Sequence, residues 1–280
     1  MAGMLYLCAT PIGNLEDITL RVLRMLHEAD VIAAEDTRQS IKLLNHYEIK
    51  TPLTSYHEHN KTEKTPLLIK RMLAGETVAL VTDAGTPAIS DPGEDLVRAC
   101  YEAGIGVTSL PGASAVITAL TLSGIKARRF TFEGFLPMDK KERTQVLERL
   151  ALTTCTTIFY EAPHRLRKTL SVLLDTVGKE RKITICKELT KKHEAALPMT
   201  LGEAAAYYEE EEPKGEYVLV LDGADADELE RQEQAQWQEL SLEEHMEIYL
   251  KQGMEKKEAM KAVAKDRGVS KREVYAGLLS

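Results

Sequence analysis

Residues Leu80–Gly93 read LVTDAGTPAISDPG, and the fold turns on what precedes and follows them. The run TVALVTD at 77–83 is nearly all apolar, as expected of a strand covered on both faces of its sheet. Beyond Asp83 the pattern changes to two glycines, two prolines, hydroxyls and a second aspartate. Such a loop has most of its backbone geometry fixed. Parallel sheets hold their ligands at the carboxyl ends of their strands, so this loop is a candidate binding element.

Working outward, the first part of the chain alternates strand and helix patterns. Strands are predicted at 4–10, 30–36, 51–57, 77–83 and 105–112, and helices at 18–29, 37–47, 62–75 and 93–104. Strict alternation implies a parallel α/β sheet. Further strands at 128–137, 156–163, 182–189 and 215–223, with helices at 139–152 and 164–175, predict a second α/β domain with a mixed sheet. The expected division is 1–122, 123–225, an acidic linker at 226–240, and a C-terminal helical domain at 241–280. That last part carries helix patterns at 241–253, 255–268 and 270–279. Ser270 and Glu273 stand at capping-box spacing, and a Gly-Val-Ser turn gives the pair of helices a helix-turn-helix character.

A chain of 280 residues with 44% hydrophobic and 29% charged residues is ordinary for folded domains, which sets disorder aside. No apolar run reaches membrane-spanning length, and the N-terminus lacks the basic and apolar segments of a signal peptide. A cytoplasmic protein with no membrane partner is expected. Cys8, Cys100, Cys155 and Cys186 are scattered and read as free thiols. The net charge of −8 argues against nonspecific coating of nucleic acid but leaves room for a local basic face.

Three glycine loops, ATPIGN (9–14), TDAGTPAISDPG (82–93) and LPGASAV (110–116), follow the first, fourth and fifth strands. At one sheet edge they wall a cleft whose free backbone groups suit a ligand with amine, carboxylate and ribose hydroxyls. No phosphate loop and no dinucleotide fingerprint is present. AEDTR (34–38) ends a strand with two carboxylates and an arginine; it reads either as a capped helix with an ion pair or as a substrate-facing acid/base group. SYHEHN (55–60) puts two histidines on one face of a strand without enough further ligands, so no metal is expected. YEAPHRLRKTL (160–170) and CKELTKKHE (186–194) are charged strand-to-helix junctions, either solvated faces or a basic wall beside the cleft.

Together these motifs, with LYLCATPIGNLEDITLR, FEGFLP, KELTK and GEYVLVLDG in chain order, resemble the ribosomal-RNA members of the tetrapyrrole methylase superfamily of S-adenosylmethionine-dependent methyltransferases. The resemblance covers residues 4 to about 223 strongly and extends to the helical tail. It implies two α/β domains with S-adenosylmethionine in the cleft between them, and a homodimer. It implies 2′-O-methylation of cytidine 1402 in the 16S rRNA of the small ribosomal subunit.

By motif position, Asp83, Gly85, Thr86, Pro87 and Ile89 hold the methionine part, joined by Ala113 and Ser114, with Thr10 and Pro11 as the floor. Tyr160, Leu189, Glu216 and Tyr217 hold the adenosine. Glu35 or Asp36 is the candidate base, and Arg38 or Lys187 the cation facing a developing alkoxide. Arg128, Arg129, Lys140, Lys141, Arg143, Arg165 and Arg167 are expected around the cleft mouth as RNA contacts. Lys256, Lys257, Lys261, Lys271 and Arg272 add to them from the tail, although 241–280 holds eight Lys/Arg against seven Asp/Glu. The rivals are a porphyrinoid or precorrin methyltransferase, which shares the cleft but not the tail, a protein methyltransferase, and a non-enzymatic nucleic-acid module.

Overall fold

Two five-stranded sheets and a C-terminal helical cluster make up the computed structural model, which describes residues 2–279. The first sheet contains β1 (Met4–Cys8), β2 (Val31–Ala34), β3 (Leu53–Ser55), β4 (Val78–Val81) and β5 (Gly106–Leu110). Its order is β3-β2-β4-β1-β5 and every pairing is parallel. The helices between are α1 (Leu20–Glu28), α2 (Thr37–His46), α3 (Lys61–Leu73) and α4 (Glu94–Glu102). β2 and β4 are buried at every residue. Alternate side chains serve opposite faces, as strand geometry requires. Leu5, Val31, Val78 and Leu80 pack under α3 and α4, while Cys8, Ile32, Ala79 and Val81 pack under α1 and α2.

The sheet order sets β4, β1 and β5 side by side, so the three glycine loops leave the same edge as neighbours. The third loop runs into α5 (Ala115–Ser123). This helix has no amphipathic period, which is why it was not predicted as an element. Its Val116, Ala119 and Leu120 bury against Ile158, Cys186, Val218 and Val220 of the second sheet.

The second sheet contains β6 (Phe130–Phe135), β7 (Thr156–Glu161), β8 (Lys182–Lys187), β9 (Ala195–Thr200) and β10 (Tyr217–Leu221), in the order β6-β7-β10-β8-β9. β6 and β7 are parallel and the other pairs antiparallel, so the sheet is mixed as expected. Helices α6 (Lys140–Leu152), α7 (Pro163–Val177) and α8 (Leu201–Glu210) cover its other face over Phe159, Ile183, Ile185 and Leu219. β9 was not predicted: it contains Pro198, which an edge strand tolerates because its missing N–H costs no ladder bond there. Its neighbour α8 was also missed.

Two further expectations change. β3 ends at Ser55, so His57 and His59 lie in a turn rather than on one strand face. The stretch expected as a linker is mostly the helix α9 (Ala226–Gln238), capped by Asp225, whose Oδ1 accepts from the Asp227 and Glu228 N–H groups at 2.9 and 3.1 Å. Trp237 of α9 stacks flat on His245 of α10 (Leu242–Lys251) at 4.1 Å. With α11 (Lys256–Asp266) and α12 (Lys271–Gly277) these helices form a small core of Met246, Ala259, Met260, Val263 and Val274. The capping box read at Ser270–Glu273 is present, and a second one at Ser241–Glu244 starts α10. Among the described residues, no helix is long and apolar enough to cross a membrane.

Candidate functional site

The loops after β1, β4 and β5 are fastened into one wall. Thr10 and Gly85 exchange two backbone hydrogen bonds, of 2.9 and 3.0 Å, and the Thr10 hydroxyl donates to the Thr82 carbonyl at 3.1 Å. The Thr86 hydroxyl donates to the Ala113 carbonyl at 3.0 Å. Gly85 stands at φ +84°, and a Cβ there would meet Ile12 Cγ2 at 3.3 Å, so this crossing of two loops needs glycine. Ala88 and Ser90 also take positive φ, of 66° and 62°, which costs energy at non-glycine residues and persists only in a tightly held loop.

This wall faces the ends of β7 and β10 across a cavity of about 560 Å³. Glu35, Asp83 and Asp91 line it on the side of the first sheet. The Thr82 hydroxyl donates to Glu35 Oε2 at 2.7 Å. Burial, reinforced by the charge of Glu35, pushes the Asp91 carboxyl up to about 6. Burial also raises Asp83, although the Asp36 N–H donates to its Oδ1 at 3.1 Å. On the other side stand Tyr160, Glu216, Tyr217 and Val218, with Phe135 and Ile89 completing an apolar rim. Burial and the Asp91 charge raise the Tyr160 phenol to about 12, so it stays protonated. Ser114 and Ala115 bring the N-terminus of α5 to the cavity, where the helix dipole favours a negative group, while the Val116 N–H of its first turn meets the Tyr160 phenol. Carboxylates, a helix N-terminus and flat apolar surfaces together suit a zwitterion attached to an aromatic ring.

Of the residues read from the sequence, Glu35, Asp83, Gly85, Thr86, Ile89, Ser114, Tyr160, Glu216 and Tyr217 line the cavity. Thr10 and Ala113 stand behind it as the partners that tie the loops together. Pro11 and Pro87 belong to the same loops without lining the cavity. Leu189 is buried in the apolar cluster that includes Tyr160 and joins α5 to the second sheet. Asp36, Arg38 and Lys187 do not line the cavity. The Asp36 carboxylate caps α2 and holds Arg38 at 3.0 and 2.7 Å; hydrogen bonding from Arg38 keeps it down at about 2. Lys187 closes β8 opposite Tyr217, beside the rim.

Several lining residues were not singled out from the sequence. Thr82 and Asp91 lie within the loop already quoted, and Phe135 within FEGFLP, but nothing local separates a lining residue from a packing one. Glu161 was read only as part of a charged junction. Its side chain is fully buried, with Oε1 accepting from the Ala162 N–H at 2.9 Å and Oε2 from the Thr169 hydroxyl at 2.5 Å, so it anchors the start of α7.

The basic residues divide. Lys140, Lys141 and Arg143 begin α6, just beyond the end of β6 that reaches the cavity through Phe135. Arg143 donates to the Pro137 and Met138 carbonyls at 3.3 and 2.9 Å, and Arg165 to the Leu136 carbonyl at 2.5 Å, so both hold the rim. Arg167 donates to the Tyr208 and Glu211 carbonyls at 2.5 and 3.2 Å and caps α8. Arg128 and Arg129 are not at the mouth. They precede β6, so six strand residues, about 20 Å, separate them from the cavity edge. The expectation followed chain adjacency, whereas the strand direction carries them to the opposite edge. Among the described residues, no group of three or more His, Cys, Asp or Glu could hold a metal ion.

Comparisons with known proteins agree with this architecture. A model of the tetrapyrrole (corrin/porphyrin) methylases matches residues 4–205. The chain is 52% identical over 273 residues to ribosomal RNA small subunit methyltransferase I of Halalkalibacterium halodurans, covering 98% of this chain and 93% of that one. It is 48% identical over 273 residues to the protein of the same name from Bacillus subtilis, with the same 98% and 93% coverage. Among solved structures, uroporphyrin-III C-methyltransferase from Thermus thermophilus, complexed with S-adenyl homocysteine, superposes with a TM-score of 0.56 at 20% identity, covering 79% of this chain and 97% of that one.

Proposed function

We propose a function from the premise that this chain belongs to the tetrapyrrole methylase family, in its ribosomal RNA small subunit methyltransferase I branch. It methylates small-subunit ribosomal RNA with S-adenosylmethionine as donor, and its target is the ribose 2′-hydroxyl of cytidine 1402 in 16S rRNA. The observation that carries this reading is the cavity itself, with Glu35, Asp83 and Asp91 and the N-terminus of α5 set around one space between the sheets. The coverage of the tail by the 52% identical relative favours the RNA branch over the porphyrinoid methylases.

The residues present fit the donor. Asp83, Thr86 and Ser114 would hold its amino-acid end, where carboxylates meet the ammonium and the start of α5 meets the carboxylate. Tyr160, Glu216, Tyr217 and Ile89 would hold the adenosine, with Leu189 behind them. When bound, S-adenosylmethionine supplies a methyl group already activated on a sulfonium. The chain's own contribution is then alignment, and well-oriented reactants gain roughly 7–11 kcal/mol.

A ribose 2′-hydroxyl is a weak acid, so its proton needs an acceptor as the new C–O bond forms and the C–S bond breaks. Glu35 is the acceptor this reading favours, because it lines the cavity and Thr82 orients it. Asp36 suits the role poorly: a carboxylate held near 2 by Arg38 is a weak base, and it faces away into its ion pair. Lys187 stands beside the rim to face the developing negative charge. On this reading Arg38, Lys140 and Lys141 would meet RNA, and the protein works as a homodimer. An RNA substrate places the protein in the cytoplasm.

The test is methyl transfer from labelled S-adenosylmethionine to small ribosomal subunits from a strain lacking this protein, followed by mass spectrometry of the nucleosides. Label on the ribose of a single 16S cytidine supports the reading. Unlabelled RNA with donor binding intact overturns it.

A further inference from the structure

Arg128 and Arg129, displaced from the mouth, belong to a second hollow of about 260 Å³ at the opposite edge of the second sheet. Lys126 joins them, and Cys155, Asp222 and Asp225 lie between. The main chain here is rigidly set. The Thr156 hydroxyl donates to the Lys126 carbonyl at 2.6 Å, the Ala224 N–H to the Thr153 carbonyl at 2.8 Å, and a Cβ on Gly223 would collide with the Thr154 carbonyl.

The charges in the hollow are unevenly used. Asp222 Oδ1 accepts from the Gly223 N–H at 2.9 Å, and Asp225 caps α9, so both carboxylates already serve backbone donors. Lys126, Arg128 and Arg129 are all exposed, and among the described residues none of the three has an ion pair or side-chain hydrogen bond. Lys126, Arg128 and Arg129 outnumber Asp222 and Asp225 in the hollow, which leaves it net positive on a chain of net charge −8. Guanidinium forks are matched to phosphate oxygens. Their exposure suits a polyanion lying across the surface better than a small enclosed anion.

We propose that this hollow is a second contact for the RNA backbone, taking a phosphodiester several nucleotides from the one whose ribose enters the cavity. The proposal rests on the reading that the substrate is RNA. β7 runs from Thr156 in the hollow to Glu161 in the cavity wall, so one strand length, about 20 Å, fixes the spacing between the two contacts. The hollow therefore fixes the register of the RNA and leaves the chemistry to the cavity.

The test uses the full chain with small ribosomal subunits as the probe, comparing it with the Arg128→Ala/Arg129→Ala variant between about 50 and 200 mM salt. Losing two phosphate contacts on single-stranded RNA lowers the slope of log K against log salt by about 1.4. The variant is expected to raise KM for the subunits about tenfold while kcat, S-adenosylmethionine affinity and Tm hold. Cys155 gives an independent readout, since it is free, half-buried and lines the hollow. Bound subunits should slow its alkylation by a maleimide several-fold, and S-adenosylmethionine alone should not. An unchanged slope with unprotected Cys155 overturns the contact. Protection by inorganic phosphate but not by subunits makes this a small-anion site and overturns it too. If the unaltered protein binds donor but no RNA, the functional reading falls first and this inference with it.

Discussion

The Thr82 hydroxyl donates a 2.7 Å hydrogen bond to Glu35 Oε2 and so joins the ends of the paired strands β4 and β2 at the edge of the cavity. Thr82 is only 2% exposed, so the bond is protected from water and fixes the direction of the carboxylate. Glu35→Gln is expected to lower kcat by about 10²–10⁴-fold with donor affinity within a few-fold. Thr82→Val keeps the shape and removes the donor; the loss of a bond to a charged group, about 1.5–3 kcal/mol, should appear in kcat rather than in donor binding. Single-turnover methylation of small subunits checks both. Wild-type turnover by the Gln variant would move the base to Asp91.

Asp91 makes donor affinity depend on pH. Its folded carboxyl titrates at about 6, raised by burial and by Glu35. The cationic donor favours the ionised form, so binding expels a proton near pH 6, and affinity rises as pH rises through that value, then levels off. The sign is reversed for stability of the ligand-free protein: a raised acid pKa means the folded state holds the extra proton, so stability falls as pH climbs from about 4 to 6. Titration calorimetry in two buffers of different ionisation enthalpy counts the proton. Asp91→Asn should abolish its release.

Gly85→Ala forces a side chain into positive φ, at about 1–2 kcal/mol, and presses on Ile12 where two loops cross. The expected result is a small fall in Tm with a much larger loss of S-adenosylmethionine affinity, read by calorimetry. Equal losses in both would mean that the crossing serves the fold alone.

Much of this site was legible because its loops announce themselves: β1, β4 and β5 each run into glycine and proline, and the parallel order brings them together. What stayed hidden depends on tertiary contact. α5 is apolar on every side and so has no period to detect. The acidic run from Ala226 reads as a linker because it is polar all round; the stacking of Trp237 on His245 is what fastens it to the C-terminal helices. Arg128 and Arg129 were misplaced because adjacency to a strand does not say which end of it faces the ligand.

Phe135 illustrates the same point from the other side. It lines the cavity, is 49% exposed and meets Tyr160 edge-on at 5.8 Å. An aromatic face at the mouth, followed by Lys140 and Lys141, suits stacking by an unpaired base, worth about 1–3 kcal/mol. Phe135→Ala should raise KM for the subunits about tenfold or more and leave donor affinity unchanged, and Phe135→Trp should restore it. Equal KM values for all three proteins would remove the stacking role.

α5 continues the first α/β domain along the chain, yet its buried face belongs to the second sheet. A second half begun at residue 123 would leave Ile158, Cys186, Val218 and Val220 without the cover of Val116, Ala119 and Leu120, so the folding boundary lies before α5 rather than after it. Amides of α5 and β10 should exchange with solvent through a common opening event, and a chain cut between residues 122 and 123 should leave the second piece with an uncovered sheet face and unable to fold unaided. The Ser114–Ala115 end of the cavity therefore moves with the second sheet, although its chain arrives from the first.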